Sequence, residues 1–178
     1  MPLFAPETEW VAPEELKDLS GAKEVSIDLE TYDPELTTLG SGNVIGRGHI
    51  AGVAVAVEGW SGYYPIGHEG GGNMDKKLVL EWVQDLVNQE KTTFIFHNAM
   101  YDVCWIRAVT GKKTKGRIVD TMIAASVINE NRFKYSCSFN CIKKEIDYHW
   151  VEIIMICQIT NEEEKYLKNT NYFQFKLY

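Results

Sequence analysis

The period at which apolar residues recur changes along the chain, and that change restricts the fold more than any other feature. In "VSIDLE", residues 25–30, Val25, Ile27 and Leu29 alternate as a half-buried strand requires. "HIAGVAVAVE" (49–58) and "GYYPI" (62–66) are further strand-forming runs, and a turn at "GWS" would join them as a hairpin. From about residue 74 the period becomes helical. "MDKKLVLEWVQDLVNQ" places Leu78, Trp82 and Leu86 on one stripe with Val79 and Val83 beside it, and offers Asn73 or Asp75 as the cap. "TTFIF" (92–96) predicts a short buried strand, "NAMYDVCWIRAV" (98–109) a helix capped by Asn98, "RIV" (117–119) a strand and "DTMIAASVIN" (120–129) a helix. "APEELKDL" (12–19), with Pro13 in its first turn, predicts a short helix before the first strand, and residues 31–48, rich in Thr, Gly, Ser and Asn, a loop. Three strands in a meander followed by βα crossovers imply an α/β domain with a mixed sheet and helices on its faces. Sites in such sheets gather beyond the carboxyl ends of the parallel strands.

The chain has 178 residues, 45% of them hydrophobic, which suffices for one domain with a core. No apolar run approaches the roughly 18 residues of a membrane span, so no membrane partner is expected. "MPLFAPETEW" lacks the basic start and apolar stretch of a signal peptide. Cys104, Cys137, Cys141 and Cys157 show no C-x-x-C spacing, which predicts free thiols in a reducing, cytoplasmic setting. A formal charge of −7 argues against holding nucleic acid by bulk electrostatics, but not against gripping a strand end through metal ions. One segment, "RAVTGKKTKGR", is locally basic through Arg107, Lys112, Lys113, Lys115 and Arg117; it reads first as a solvated loop and second as a phosphate-facing rim.

The first strand carries the chemistry. Ser26, Asp28 and Glu30 share the face opposite its apolar residues. Neighbours on one strand face lie about 6.5–7 Å apart. Two carboxylates about 5 Å apart repel by roughly 3 kcal/mol at an effective dielectric near 20. A proton or a cation must compensate, and hard oxygen ligands suit Mg²⁺ or Mn²⁺. Taken alone, the pair also fits a solvent-facing polar strand face. "FIFHNAMYD" adds Asn98 directly after a buried strand and Asp102 in the first turn of the next helix, near the mouth where the first strand ends. Each is ordinary by itself, an Asn cap and a dipole-stabilised Asp. Acids converging from separate segments point to metal-assisted phosphodiester chemistry.

At these residues the chain resembles the DEDD exonuclease superfamily, of the DnaQ-like proofreading type. "SIDLETYDP" resembles the first motif, D-x-E followed by Thr, at Asp28, Glu30 and Thr31; "FHNAMYD" resembles the second, N-x-x-[FY]-D, at Asn98, Tyr101 and Asp102. "VDTMIAASVIN" is similar to the D-T-x-x-A-x-x-L stretch that follows, opening at Asp120, and "YYPIGHEGGGN" to the hairpin and loop of exonuclease domains in bacteriophage-type family A DNA polymerases. The resemblance covers about residues 20–136. It implies a ribonuclease H-like fold, with helices on both faces of a five-stranded sheet. It implies that Asp28, Glu30 and Asp102 hold two divalent cations, Mg or Mn. It further implies that Thr31 and Asn98 place the terminal nucleotide, and that nucleoside 5′-monophosphates are cut from the 3′ end of single-stranded DNA. A polymerase domain, on the intact or a separate chain, would be the partner. Tyr101 is expected to pack in the core, Asp120 to cap a helix, and His68 and His97 to be bystanders.

The family's third motif, Y-x-x-x-D or H-x-x-x-D on a later helix, supplies a fourth acid and the group that orients water. Neither pattern follows Tyr135; Asp147 and His149 in "EIDYHW" are wrongly spaced. From Cys137 to Tyr178 there is no Gly, Ala, Pro or Arg, and all 14 glycines lie earlier. The expectation is a domain over 1–136 and an atypical tail over 137–178, the true C-terminal part having been lost by frameshift or premature end. Within the tail, 152–157 could be a strand and 160–168 a helix. The alternative functions are a non-catalytic remnant or binding module of the same fold, and an RNA-trimming exonuclease.

Overall fold

The structure, a computed structural model, describes residues 12–69, 71–128 and 130–131. The tail over 137–178 and its two expected elements lie outside the described residues. Among the described residues nine elements follow one another: β1 (Glu24–Tyr32), α1 (Gly42–Ile45), β2 (His49–Val57), β3 (Trp60–Pro65), α2 (Lys76–Val87), β4 (Thr93–Phe96), α3 (Ala99–Thr110), β5 (Arg117–Asp120) and α4 (Thr121–Ile128). The strands form one mixed sheet in the order β3-β2-β1-β4-β5. β1 pairs antiparallel with β2 and parallel with β4; β2–β3 is antiparallel and β4–β5 parallel. The meander and the crossovers are thus as the periodicity predicts.

The core lies on one face of the sheet. Val25, Ile27 and Leu29 from β1, Val53 and Val55 from β2, Tyr64 from β3 and Phe94 and Phe96 from β4 pack against Val79, Val83, Leu86 and Val87 of α2 and Tyr101, Trp105 and Ile106 of α3. The α2 stripe is rotated from its expected centre: Leu78 is 54% exposed and Trp82 half-buried, while Val87 is fully buried. Of the two candidate caps, Asp75 serves, its side chain accepting from the Leu78 N–H at 2.9 Å.

In β2, Ile50 and Val53 both face the core although they are three residues apart. The register explains it. Glu30 is opposite Gly52 and Thr31 opposite Ile50, which leaves Ala51 as an extra residue at a bulge. The hairpin turn falls at Glu58 and Gly59, not at "GWS": Trp60 already pairs with Val57, and Gly59 takes the positive φ of 74° that the turn needs. Residues 12–19 form no helix. The Lys17 N–H donates to the Tyr64 hydroxyl and the Lys17 carbonyl accepts from the Trp82 indole, both at 2.9 Å. Eight residues are too few for a self-supporting helix, so tertiary bonds of this kind prevail.

Candidate active site

β1 runs beyond β4. The last registered pair is Ser26 with Ile95, so the downstream part of β1 has no strand on that side. The first turn of α3 takes the place. Asp102, fully buried, accepts the Leu29 N–H at 3.3 Å. That nitrogen belongs to the peptide between Asp28 and Leu29, roughly 2.4 Å from the Asp28 Cα. Asp102 Oδ1 is therefore within about 6 Å of the Asp28 backbone. Asp28 and Glu30 are half-buried on the face opposite the core. The structure thus brings Asp102 against the middle of the Asp28–Glu30 segment. Among the described residues, no three His, Cys, Asp or Glu side chains are gathered closely enough to hold a metal ion as they stand. The donor set itself, carboxylate oxygens only, has the chemistry of a hard-cation site. Carboxylates without a cation repel one another, and Asp102 meanwhile satisfies a strand N–H.

Asn98 occupies the N-cap position of α3 but does not cap it. Its backbone is left-handed, φ 67° and ψ 56°, and its side chain makes no cap bond. It is the only described non-glycine residue with positive φ. Asp120 does the capping. Its carboxylate accepts the Asn98 N–H at 3.1 Å and the Ala99 N–H at 2.8 Å, and also the Met122 N–H at 2.9 Å at the start of α4. One carboxylate therefore closes two helix N-termini, which extends its expected role as a cap. His97 is tied in beside it, Nδ1 lying 2.8 Å from the Thr121 hydroxyl, which in turn donates to the Phe96 carbonyl at 3.1 Å.

Tyr101 does more than fill the core. Its hydroxyl donates to Asp33 Oδ2 at 3.0 Å and lies 2.7 Å from the Thr31 hydroxyl. With its one proton given to Asp33, Tyr101 accepts from Thr31. Burial pushes its phenol well above the ordinary tyrosine range, with the Thr31 bond pulling the other way. Nothing local in the sequence marks Asp33 for this contact, which spans 68 residues of chain.

On the acidic face, β2 contributes Gly52, Ala54 and Ala56. The Tyr63 ring lies over Gly52, where a Cβ would fall 1.9 Å from its hydroxyl. Gly52 is the cross-strand partner of Glu30, so the phenol sits beside that acid. The Tyr63 hydroxyl is hydrogen-bonded to His68 Nε2. Asn73 clamps the His68 backbone, accepting its N–H at 2.8 Å and donating to its carbonyl at 2.6 Å. His68 is accordingly a built part of this face. Tyr63, His68 and Asn73 stand close in sequence, but the seat of the Tyr63 ring over Gly52 depends on strand register.

The basic segment is exposed and lies at the far end of α3 from Asp102. The Lys115 N–H bonds the Val87 carbonyl, and Arg117 pairs with Thr93 at the start of β4. It is a solvated loop at the wrong end of the strands to form a phosphate rim.

A mixed sheet in this order, with Asp102 from the helix after β4 lodged against β1, is a ribonuclease H-like fold. The solved structures it matches include NrnC of Brucella melitensis with bound Mg²⁺, at TM-score 0.54 and 16% identity over 89% of this chain and 81% of that one. NrnC bound to pGG matches at TM-score 0.53 and 20% identity over 73% and 57%, and the zinc-bound Escherichia coli ExoI–single-stranded DNA complex at 0.51 and 9% over 83% and 42%. In sequence the chain is 40% identical over 109 residues to a DNA-directed DNA polymerase of Pseudomonas phage M6. That match takes in 57% of this chain and 16% of the polymerase, so the chain spans a small part of that relative's length. No family model matches. Among the described residues no helix is long and apolar enough to cross a membrane.

Proposed function

We propose that the chain is a divalent-cation-dependent 3′–5′ exonuclease domain of the proofreading type, acting on the 3′ end of single-stranded DNA. The observation that carries this reading is Asp102 lodged against the peptide that links Asp28 to Leu29. Asp28, Glu30 and Asp102 would hold two cations, Mg²⁺ or Mn²⁺. Such ions supply activation of a water and stabilisation of the leaving 3′ oxygen, with a nucleoside 5′-monophosphate as product. Thr31, its proton committed to Tyr101, presents acceptor lone pairs suited to the hydroxyl of a terminal sugar. Asn98, relieved of capping by Asp120, keeps its amide for the same nucleotide. The likeness to a phage DNA polymerase and the "HEGGGN" loop support DNA as substrate and a polymerase domain as partner. The Mg²⁺ in one NrnC structure and the DNA in the ExoI complex are in keeping with this.

A second reading, a non-catalytic binding module of the same fold, is favoured by the missing Y-x-x-x-D or H-x-x-x-D pattern. One assay separates the two: release of 5′-mononucleotides from 3′-labelled single-stranded DNA, and from RNA of the same sequence, with Mn²⁺. The exonuclease reading expects release that depends on metal, is faster on DNA, and is abolished in Asp28→Ala. Binding of the DNA with no release at any metal concentration would overturn it in favour of the binding module.

A further inference from the structure

We infer that Asp33 is a positioning residue for the acidic site, acting through Tyr101 on Asp102. Asp33 is 9% exposed, and its carboxylate is surrounded by donors. The Gly42 N–H reaches both oxygens, at 3.0 and 2.9 Å, the Ser41 hydroxyl donates at 3.5 Å, and the Tyr101 hydroxyl at 3.0 Å. Three segments meet there: the end of β1, the start of α1 and the first turn of α3.

Gly42 fits because it has no side chain. A Cβ there would lie 1.9 Å from the Arg47 carbonyl oxygen, 2.9 Å from Asp33 Oδ1 and 3.0 Å from the Trp105 ring. The approach of α1 to α3 is thus tight, and Asp33 is the polar pin at its centre. A buried carboxylate with this many donors is fixed in direction as well as place. It fixes the Tyr101 hydroxyl, and the Thr31 bond fixes it from β1. Tyr101 immediately precedes Asp102 on α3, so pinning the one sets the rotation of the helix turn that carries the other. The visible result is the bond from the Leu29 N–H to Asp102. The chain of contacts runs Ser41/Gly42, Asp33, Tyr101 and Thr31, then the Asp102–Leu29 pair. Outer groups that orient a ligating carboxylate typically change metal affinity 10- to 100-fold when removed.

The inference rests on the metal-site reading for one of its two readouts only. The first is hydrogen exchange at the Leu29 amide, compared with Ile27 on the same strand, in wild type, Tyr101→Phe, Asp33→Asn and Asp33→Ala. Tyr101→Phe keeps the ring against Trp105 and removes only the hydroxyl. The expected result is exchange at Leu29 about ten times faster in Tyr101→Phe and Asp33→Ala, with Ile27 little changed. Asp33→Asn, which still offers an acceptor to Gly42 and a hydrogen-bonding group to Tyr101, should recover most of the protection. The second readout is Mn²⁺ binding by calorimetry, expected to weaken roughly 10- to 100-fold in Tyr101→Phe. Exchange at Leu29 that is unchanged in Tyr101→Phe, or raised no more than at Ile27, would overturn the positioning role. Absence of Mn²⁺ binding by the wild type would overturn the metal reading instead, and leave the exchange result to decide the role of Asp33.

Discussion

His68 is where one side chain reports on the acidic face. Burial lowers its pKa below the ordinary value, and the neighbouring His49 lowers it further. Its ring is bonded to Tyr63 and its backbone is clamped by Asn73. The folded state therefore favours neutral imidazole, while the unfolded chain takes up its proton near pH 6.5. Between the two values the unfolded state binds more protons, so stability rises with pH. The contribution is fully present above about pH 6.5 and is lost as pH falls towards the depressed folded value. Urea unfolding of the wild type between pH 8 and pH 5 should show this loss, and His68→Gln should flatten part of it. Parallel pH profiles for the two proteins would show that His68 is not held neutral by the fold.

At the scale of elements, the joint between α3 and α4 depends on Asp120. It closes two helix N-termini, and removing a good cap costs about 0.5–2 kcal/mol per helix. Asp120→Ala should thus lower unfolding stability by about 2–3 kcal/mol, read from urea melts, with Asp120→Asn losing less. Asn98→Gly, which keeps the left-handed backbone free of strain, should lose little, because the Asn98 side chain makes no cap bond; a larger loss there than in Asp120→Ala would reverse the assignment. This exchange of roles also marks the limit of what sequence shows. The strands and helices were legible because β1, β2, α2 and α3 carry strong periods that tertiary packing then reinforces. The placement of Asp28 and Glu30 on one face of β1 and of Asp102 in the first turn of α3 was legible from the same periods. The capping by Asp120 was only half legible, since nothing local says that residue 120 stands beside residue 98; the parallel pairing of Phe96 with Asp120 brings them together. The bulge at Ala51 and the Asp33–Tyr101 bond likewise depend on register and on contacts across 68 residues of chain. The 12–19 segment failed as a helix for the same reason, its backbone groups being taken by Tyr64 and Trp82.

At the scale of the whole molecule, the acids divide into what the chain holds and what it lacks. Asp102 lies against the peptide that follows Asp28, Glu30 stands two residues on along the same strand, and the sequence carries no Y-x-x-x-D or H-x-x-x-D pattern after Tyr135. A cation held by Asp28, Glu30 and Asp102, as proposed, would bind the folded state and not the unfolded one, so millimolar Mn²⁺ should raise the melting temperature. Asp28→Asn relieves part of the repulsion and removes a ligand, so it should blunt that rise; equal shifts in the two proteins would place the ion elsewhere. Hydrolysis asks for more than binding. It needs both ions fixed and the water aimed, and groups that act as a unit lose several orders of magnitude in rate when one is missing. The Tyr63–His68 pair stands beside Glu30, but it comes from β3 and its following loop and brings no fourth acid. The expected outcome is a chain that binds Mn²⁺ and single-stranded 3′ ends and releases 5′-mononucleotides slowly, with release lost in Asp28→Ala. Robust release that survives in Asp28→Ala would overturn the assignment of Asp28. Robust release that is abolished there would show that another group, such as Asp120 or Asp147, does the work of the third motif, and His68→Ala would then test whether the Tyr63–His68 pair shares in it.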